Sequence, residues 1–184
     1  MTRFVHQSLP VAELMKYAFP GTASPAHAGP ASPRGKSMPE VSIRPLAAHD
    51  EADWRRLWTG YLDYYETSVP EAVYTSTFAR LLGDDPQDFN GLIALVDGRP
   101  MGLTHFLFHR HCWKTENVCY LQDLYVAPEA RSTGLGRKLI EAVYAAADAN
   151  GTPAVYWLTQ DFNKVGRRLY DRIGKQTPFI RYNR

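Results

Sequence analysis

The chain has 184 residues, 45% of them hydrophobic, and sets 21 Lys and Arg against 19 Asp and Glu. That length suffices for one well-buried domain, and a net charge of +2 gives no reason to expect a nucleic-acid or membrane partner. No apolar run reaches the roughly 18 to 20 residues that cross a bilayer, and two cysteines are too few for a disulfide framework, so a reduced, cytoplasmic setting is expected.

Residues 1–38 read as a flexible tail. Their stretch "PGTASPAHAGPASPRGKS" mixes Pro, Ala, Ser and Gly and cannot bury enough apolar surface to fold. Ala26-His27-Ala28 has the small residues of a signal-cleavage site, but Glu13 and Lys16 interrupt the segment before it, so export is not expected. The folded domain is expected over residues 39–184. It opens with "VSIRPL", which alternates as a strand. "HDEADWRRLWTGYLDYYE" then carries Trp54, Leu57, Trp58, Tyr61, Leu62 and Tyr65 at helical spacing, and "PEAVYTSTFARLLG" places Pro70 in a first turn and Gly83 where a helix would end.

"GLIALV", the turn "DGRP" and "MGLTHFLFHRH" form a hairpin with Asp-Gly as its turn signal. Cys112 and Cys119 can face each other across a hairpin. "NVCYLQDLYV" is apolar on both alternating faces, as a central strand covered on both sides would be, and Pro128 follows its end. Leu135, Leu139, Ile140, Val143 and Ala147 share one helical face, which Asn150-Gly151 terminates. "AVYWLT", a helix from about Asn163 to Ile173 and a final strand "TPFIRY" complete the order β-α-α-β-β-β-α-β-α-β, one mixed-sheet α/β domain.

"EARSTGLGRKLIEAV", residues 129–143, joins the central strand to the long helix. A glycine turn there aims unpaired backbone N–H groups at one spot, and the helix dipole adds partial positive charge, which makes a phosphate site. Gly134 and Gly136 permit close backbone approach, while Arg131, Arg137 and Lys138 supply positive charge. An ordinary glycine-led helix start satisfies the same letters. A Walker A loop is excluded because Arg137-Lys138-Leu139 follows Gly136 and offers no hydroxyl for magnesium. A Rossmann fingerprint is excluded because Leu139 stands at its third-glycine position.

"Arg131-Ser-Thr-Gly134-Leu-Gly136" after a strand and before a helix resembles the Arg/Gln-x-x-Gly-x-Gly/Ala signature of the GNAT N-acetyltransferase superfamily. "Asn163-Lys-Val-Gly-Arg-Arg-Leu-Tyr170-Asp-Arg-Ile-Gly174" is similar to that family's second signature. The resemblance spans roughly Val41 to Tyr182. "CYLQDLYV", "TPAVYWLT" and "HRHCW" look most like the yeast histone, polyamine and D-amino-acid acetyltransferase branch. Gly166 departs from the alanine usual at its position. The resemblance implies a central strand that splays from its neighbour, with the backbone near Leu124, Tyr125 and Val126 pairing with the pantetheine arm of acetyl-CoA. It further implies that Arg131, Ser132, Thr133, Gly134, Leu135, Gly136 and Arg137 hold the pyrophosphate, and that Asn163 and Tyr170 belong to the cofactor-binding set. It makes the Tyr170 phenol the general acid for the departing thiolate. A homodimer is expected from how relatives pair.

A protonated alkylamine must lose a proton before it can attack. Asp123, inside an apolar strand, is costly unless paired, so it either receives the amine or holds a structural partner. Gln122 stands where polyamine-acetylating relatives often have Glu, and an amide cannot act as a base. Trp54, Trp58, Tyr61, Tyr64 and Tyr65 read mainly as core, although two aromatics with Asp63 or Glu66 near the helix end can line an amine pocket. His105, His109 and His111 share strand parity, but nothing completes a metal set, so no metal is expected; His109 or His111 is an alternative proton relay.

The expected function is acetyl-CoA-dependent transfer of an acetyl group to a primary amine of a small molecule, an amino acid or simple amine. The alternatives are a protein lysine acetyltransferase and a non-catalytic acyl-CoA sensor. If the tail is dispensable, deleting residues 1–37 leaves thermal stability and turnover unchanged, whereas a large loss of either contradicts the assignment.

Overall fold

The computed structural model describes residues 38–184, and the expected tail, Met38 apart, lies outside them. Strand β1 (Val41–Pro45) leads through a 3-10 turn into α1 (Glu51–Tyr64), and α2 (Glu71–Leu81) follows. The antiparallel β2 (Asn90–Val96), β3 (Arg99–His109) and β4 (Val118–Val126) come next. Then follow α3 (Leu135–Ala149), a short β5 (Val155–Tyr156) and α4 (Lys164–Ile173). The sheet order is β1-β2-β3-β4-β5, antiparallel throughout except for the parallel β4–β5 pair.

Local chemistry sets these boundaries. Asp97 and Gly98 both have positive φ (48° and 77°), the twist a two-residue hairpin turn needs to match its strands. At the end of α3, Gly151 is left-handed (φ 65°) while its N–H donates to Asp148 O and that of Thr152 to Ala147 O. This pair of bonds satisfies carbonyls the helix leaves open. Pro70 sits one residue before α2, as its N-cap, rather than inside the first turn.

Two helices cover opposite faces of the sheet. Gly102 and His105 have opposite parity on β3; a Cβ at Gly102 would meet Leu135 and Leu139 of α3, whereas His105 bonds Trp54 of α1. On α3 the stripe Leu135, Leu139, Ile140, Val143 and Ala147 is fully buried, and α1 buries Trp54, Leu57, Trp58 and Leu62. Burying each such aliphatic side chain contributes about 1.5 to 3 kcal/mol.

Three expectations fail. Residues 177–182 form no strand, because Pro178 lacks a donor and the two-residue β5 offers almost no edge; Phe179, Ile180 and Tyr182 stand exposed. "AVYWLT" shrinks to Val155–Tyr156 because the chain leaves β4 after that point. The cysteines do not face each other: Cys119 is buried opposite Phe108, while Cys112 is exposed, and both are free.

At Gly102, an alanine Cβ would sit 2.9 Å from Tyr125 O and 3.1 Å from Leu139 Cδ1. Gly102→Ala is expected to cost about 1 to 3 kcal/mol by pushing α3 off the sheet. Denaturant unfolding checks this, and an unchanged midpoint would show that the contact gives way freely.

Candidate active site

The site begins with two irregularities in β4. Opposite β3, His105 pairs with Asp123 but Phe106 pairs with Leu121, so Gln122 is an extra, bulged residue. Opposite β5, pairing stops after Cys119↔Val155 and Tyr120↔Tyr156, although β4 stays bonded to β3 as far as Val126. The expected splay is therefore present, and the edge of β4 from Leu121 onward has no β5 partner. Leu124, Tyr125 and Val126 lie half-buried along it. The Val126 carbonyl accepts from Arg131 Nε at 3.0 Å.

Beyond β4 the glycine turn leads into α3. Gly134 is its N-cap with φ 88°, a left-handed conformation that favours glycine, and Ser132 is also left-handed at 64°. No side chain caps the helix, and nothing lies within 4 Å of where a Cβ on Gly134 would point. Gly136 is not demanded sterically, since a Cβ there would make ordinary contact with Leu169 and Val126. The flanking side chains are engaged elsewhere. Thr133 Oγ1 donates to Ala130 O at 2.7 Å, Arg137 pairs with Glu141 at 2.7 Å, and Arg131 lies over the Tyr125 ring. At the turn Leu135 is buried and Ser132 exposed.

The other wall is α4. Asn163 caps it, Oδ1 accepting from Gly166 N at 3.0 Å while Nδ2 donates to Thr159 Oγ1. An alanine Cβ at 166 would press to 3.0 Å from Asn163 Cγ, so glycine there leaves the cap undisturbed. Two turns on, Tyr170 packs edge-on against Trp157, at 5.5 Å between ring centroids. Tyr170, Tyr61, Tyr65, Gln122, Leu124 and Trp157 line a cavity of about 20 Å³ at the parting of the strands, room for one water-sized group. Burial, then Tyr65 and Tyr64, push the Tyr170 phenol up to about 12.

Asp123, buried, points to the α1 side, where its Oδ2 lies 2.9 Å from His105 Nδ1. His105 Nε2 is 2.9 Å from Trp54 Nε1. Tyr61 joins the two halves: it lines the cavity with Tyr170, and burial and the facing Asp123 carboxylate raise its pKa. Sequence reasoning placed Trp54 and Tyr61 mainly in the core and missed that they flank this acid. The shared strand parity of the histidines was a misleading signal. His105 is buried on Asp123, His109 Nε2 meets the Tyr156 hydroxyl at 2.9 Å, and His111 packs on Trp113.

A five-stranded α/β domain with a glycine-led helix beside a split between parallel strands is an acyl-transfer scaffold, and comparison with known proteins agrees. The acetyltransferase (GNAT) family profile matches residues 54–174, and the chain belongs to that family. It is 38% identical over 145 residues to D-amino-acid N-acetyltransferase HPA3 of Saccharomyces cerevisiae, covering 78% of this chain and 90% of that one. It is 36% identical over 76 residues to thialysine N-epsilon-acetyltransferase of Bos taurus, a match spanning 41% of this chain and 44% of the relative. Among solved structures, aminoglycoside N-acetyltransferase AAC(6')-Iy in complex with CoA shares the fold, with TM-score 0.70 at 20% identity over 84% of this chain and 98% of that one. The protein is an N-acetyltransferase.

A buried thiol and a half-buried phenol set an alkaline limit to stability. Burial holds the Cys119 thiol up to about 12 from 9.0, and Tyr170 up to about 12 from 10.0. Between the unfolded and folded values the unfolded chain binds fewer protons, so their contribution is complete below about pH 9 and fades as pH rises toward 12. Thermal unfolding followed from pH 8 to 11 should show a falling midpoint, with a shallower fall in Cys119→Ala relative to that variant's own value at pH 8. Identical slopes would contradict the linkage.

Proposed function

We propose that the protein acetylates the primary amine of a small molecule, an amino acid or simple amine, using acetyl-CoA as co-substrate. The observation that carries this reading is Tyr170 facing the split between β4 and β5 with its proton retained. The fit of acetyl-CoA rests on the uncapped start of α3 and the open space over Gly134, which suit a pyrophosphate, and on the unpaired β4 edge, which suits an amide-bearing pantetheine arm. In this reading Arg131 to Arg137 surround the pyrophosphate, Leu124 to Val126 supply backbone partners, and Asn163 holds the α4 wall in place.

Each residue then has a chemical task. Asp123 receives the substrate's ammonium, and the tyrosines Tyr61, Tyr65 and Tyr120 wall the acceptor pocket with aromatic faces that favour cations. Once the amine has given one proton to solvent, its lone pair attacks the thioester carbonyl; as the C–S bond breaks, Tyr170 donates its phenolic proton to the leaving sulfur, and the second proton shed by the new amide nitrogen restores the phenol through solvent. Arg181, whose charge acts on Tyr120, lies in the same groove and suits a substrate carboxylate. The relationship to a D-amino-acid N-acetyltransferase supports an amino acid as acceptor. Gln122, an amide at the bulge, speaks against a base at that position. The reading includes a cytoplasmic location and a homodimer; the pairing of two chains is supported by the exposed Phe179 and Ile180, which line the groove with Tyr156.

Tyr170→Phe should lower kcat by about a hundredfold while acetyl-CoA affinity stays within a few fold, because the phenol matters to the leaving group more than to binding. Steady-state kinetics with calorimetric titration of acetyl-CoA separates the two. An unchanged kcat removes Tyr170 from the mechanism.

A further inference from the structure

Trp54 is fully buried, and its indole nitrogen carries a hydrogen with no lone pair to offer. At 2.9 Å from His105 Nε2 it can only donate, so Nε2 is the bare nitrogen of the ring. The imidazole proton therefore sits on Nδ1 and is donated to Asp123 Oδ2, also at 2.9 Å. A second proton could enter the ring only by surrendering the indole bond and setting two donors face to face, in a pocket where His105 is 2% exposed. Among the described residues the neighbouring Trp58, stacked on Trp54 at 5.0 Å, has no partner for its own buried Nε1, so of the two indoles only Trp54 hydrogen-bonds the imidazole.

The acid at the end of this chain is held from several sides. Thr104 Oγ1 donates to the Asp123 carbonyl at 2.8 Å, fixing the backbone beside the bulge. Tyr61 of α1 and Tyr65 at its C-cap face the carboxylate, and from β4 so does Tyr120, on which Arg181 also acts. Trp58 of α1 lies edge-on to His105, with Tyr74 of α2 against both tryptophans. Among the described residues the only basic side chain bonded to Asp123 is His105, and no Lys or Arg pairs with it. With a neutral ring as that partner, the negative charge remains uncancelled.

We propose that Trp54 and His105 are positioning residues for Asp123: the indole N–H fixes His105 as the Nδ1–H tautomer, which holds Asp123 as an unneutralised carboxylate at the acceptor pocket and so selects a cationic amine. A buried carboxylate with only neutral donors around it attracts an ammonium more strongly than one already paired with an imidazolium. The inference rests on the reading of Asp123 as the group that receives the ammonium.

Two measurements test it. Nitrogen NMR of the full-length protein labelled in its imidazole rings should find His105 at neutral pH with a proton on Nδ1 and none on Nε2; an Nε2–H ring or an imidazolium overturns the proposal. In kinetics, Asp123→Asn and His105→Leu should each raise the amine KM about tenfold or more and leave the acetyl-CoA KM within about twofold, as expected on losing a hydrogen-bonded charge or its donor. His105→Asn, whose amide nitrogen can occupy the place of Nδ1, should restore the amine KM to within about threefold of the unsubstituted protein, since it returns the donor without the Trp54 bond. Equal effects of His105→Asn and His105→Leu mean a merely structural histidine and overturn the proposal. If Asp123→Asn leaves the amine KM unchanged, the reading of Asp123 falls and takes the proposal with it. If Asp123→Asn raises it and His105→Leu does not, the positioning role alone falls. Should His105→Leu fail to fold, the NMR result on the unsubstituted protein decides.

Discussion

Parallel strands β4 and β5 share only two register positions, Cys119↔Val155 and Tyr120↔Tyr156, while β4 runs on for six residues still bonded to β3. Backbone groups that lose a ladder partner must find another or remain in water. The half-sheet that parts after Tyr120 therefore presents a bare edge, with α3 and its glycine turn at one end and α4 along the far side. Stacking of Tyr120 on Tyr156, at 5.0 Å, closes the paired end. Without the parting, Tyr170 would face a continuous sheet instead of a slot.

The second constraint is electrostatic, and it lies on the other side of the same strand. A bulge at Gln122 brings Asp123 opposite His105, so a buried acid is satisfied by a cross-strand imidazole rather than by a cation. Tyr61 ties this acid to the slot, since it touches the cavity at Tyr170 and faces the Asp123 carboxylate. Acid and phenol thus stand on the two sides of one tyrosine. That is a workable arrangement for a reaction in which a cation must arrive, lose two protons and leave as an amide while a thiolate gains one.

What could be read from the letters was local. The α3 stripe, the Asn150-Gly151 stop and the Asp97-Gly98 turn each depend on residues within a turn or two, and each is found. Relations across the sheet were not legible. His105 meets Asp123 only because an extra residue shifts the register, and nothing within either strand announces that shift. The alternation in "TPFIRY" describes a segment able to pair, but pairing requires an edge, and β5 supplies two residues. The cysteines fail for a related reason: Cys119 belongs to the buried face of β4, whereas Cys112 lies past the end of β3, so proximity in sequence brought no proximity of sulfurs. The partners of the glycine turn's cations were not legible either: Arg131 bonds the Val126 carbonyl and Arg137 pairs with Glu141.

The central claim is that this slot and this acid serve a small amine. CoA release from acetyl-CoA, measured with the purified full-length protein across α-amino acids of both hands, simple amines, polyamines and a lysine-bearing peptide, tests it most directly. The account predicts turnover on free amino acids or simple amines with kcat/KM at least about tenfold above that on the peptide, a difference of about 1.4 kcal/mol in transition-state binding. Turnover confined to the peptide, or tight acetyl-CoA binding with no turnover on any acceptor, would contradict it.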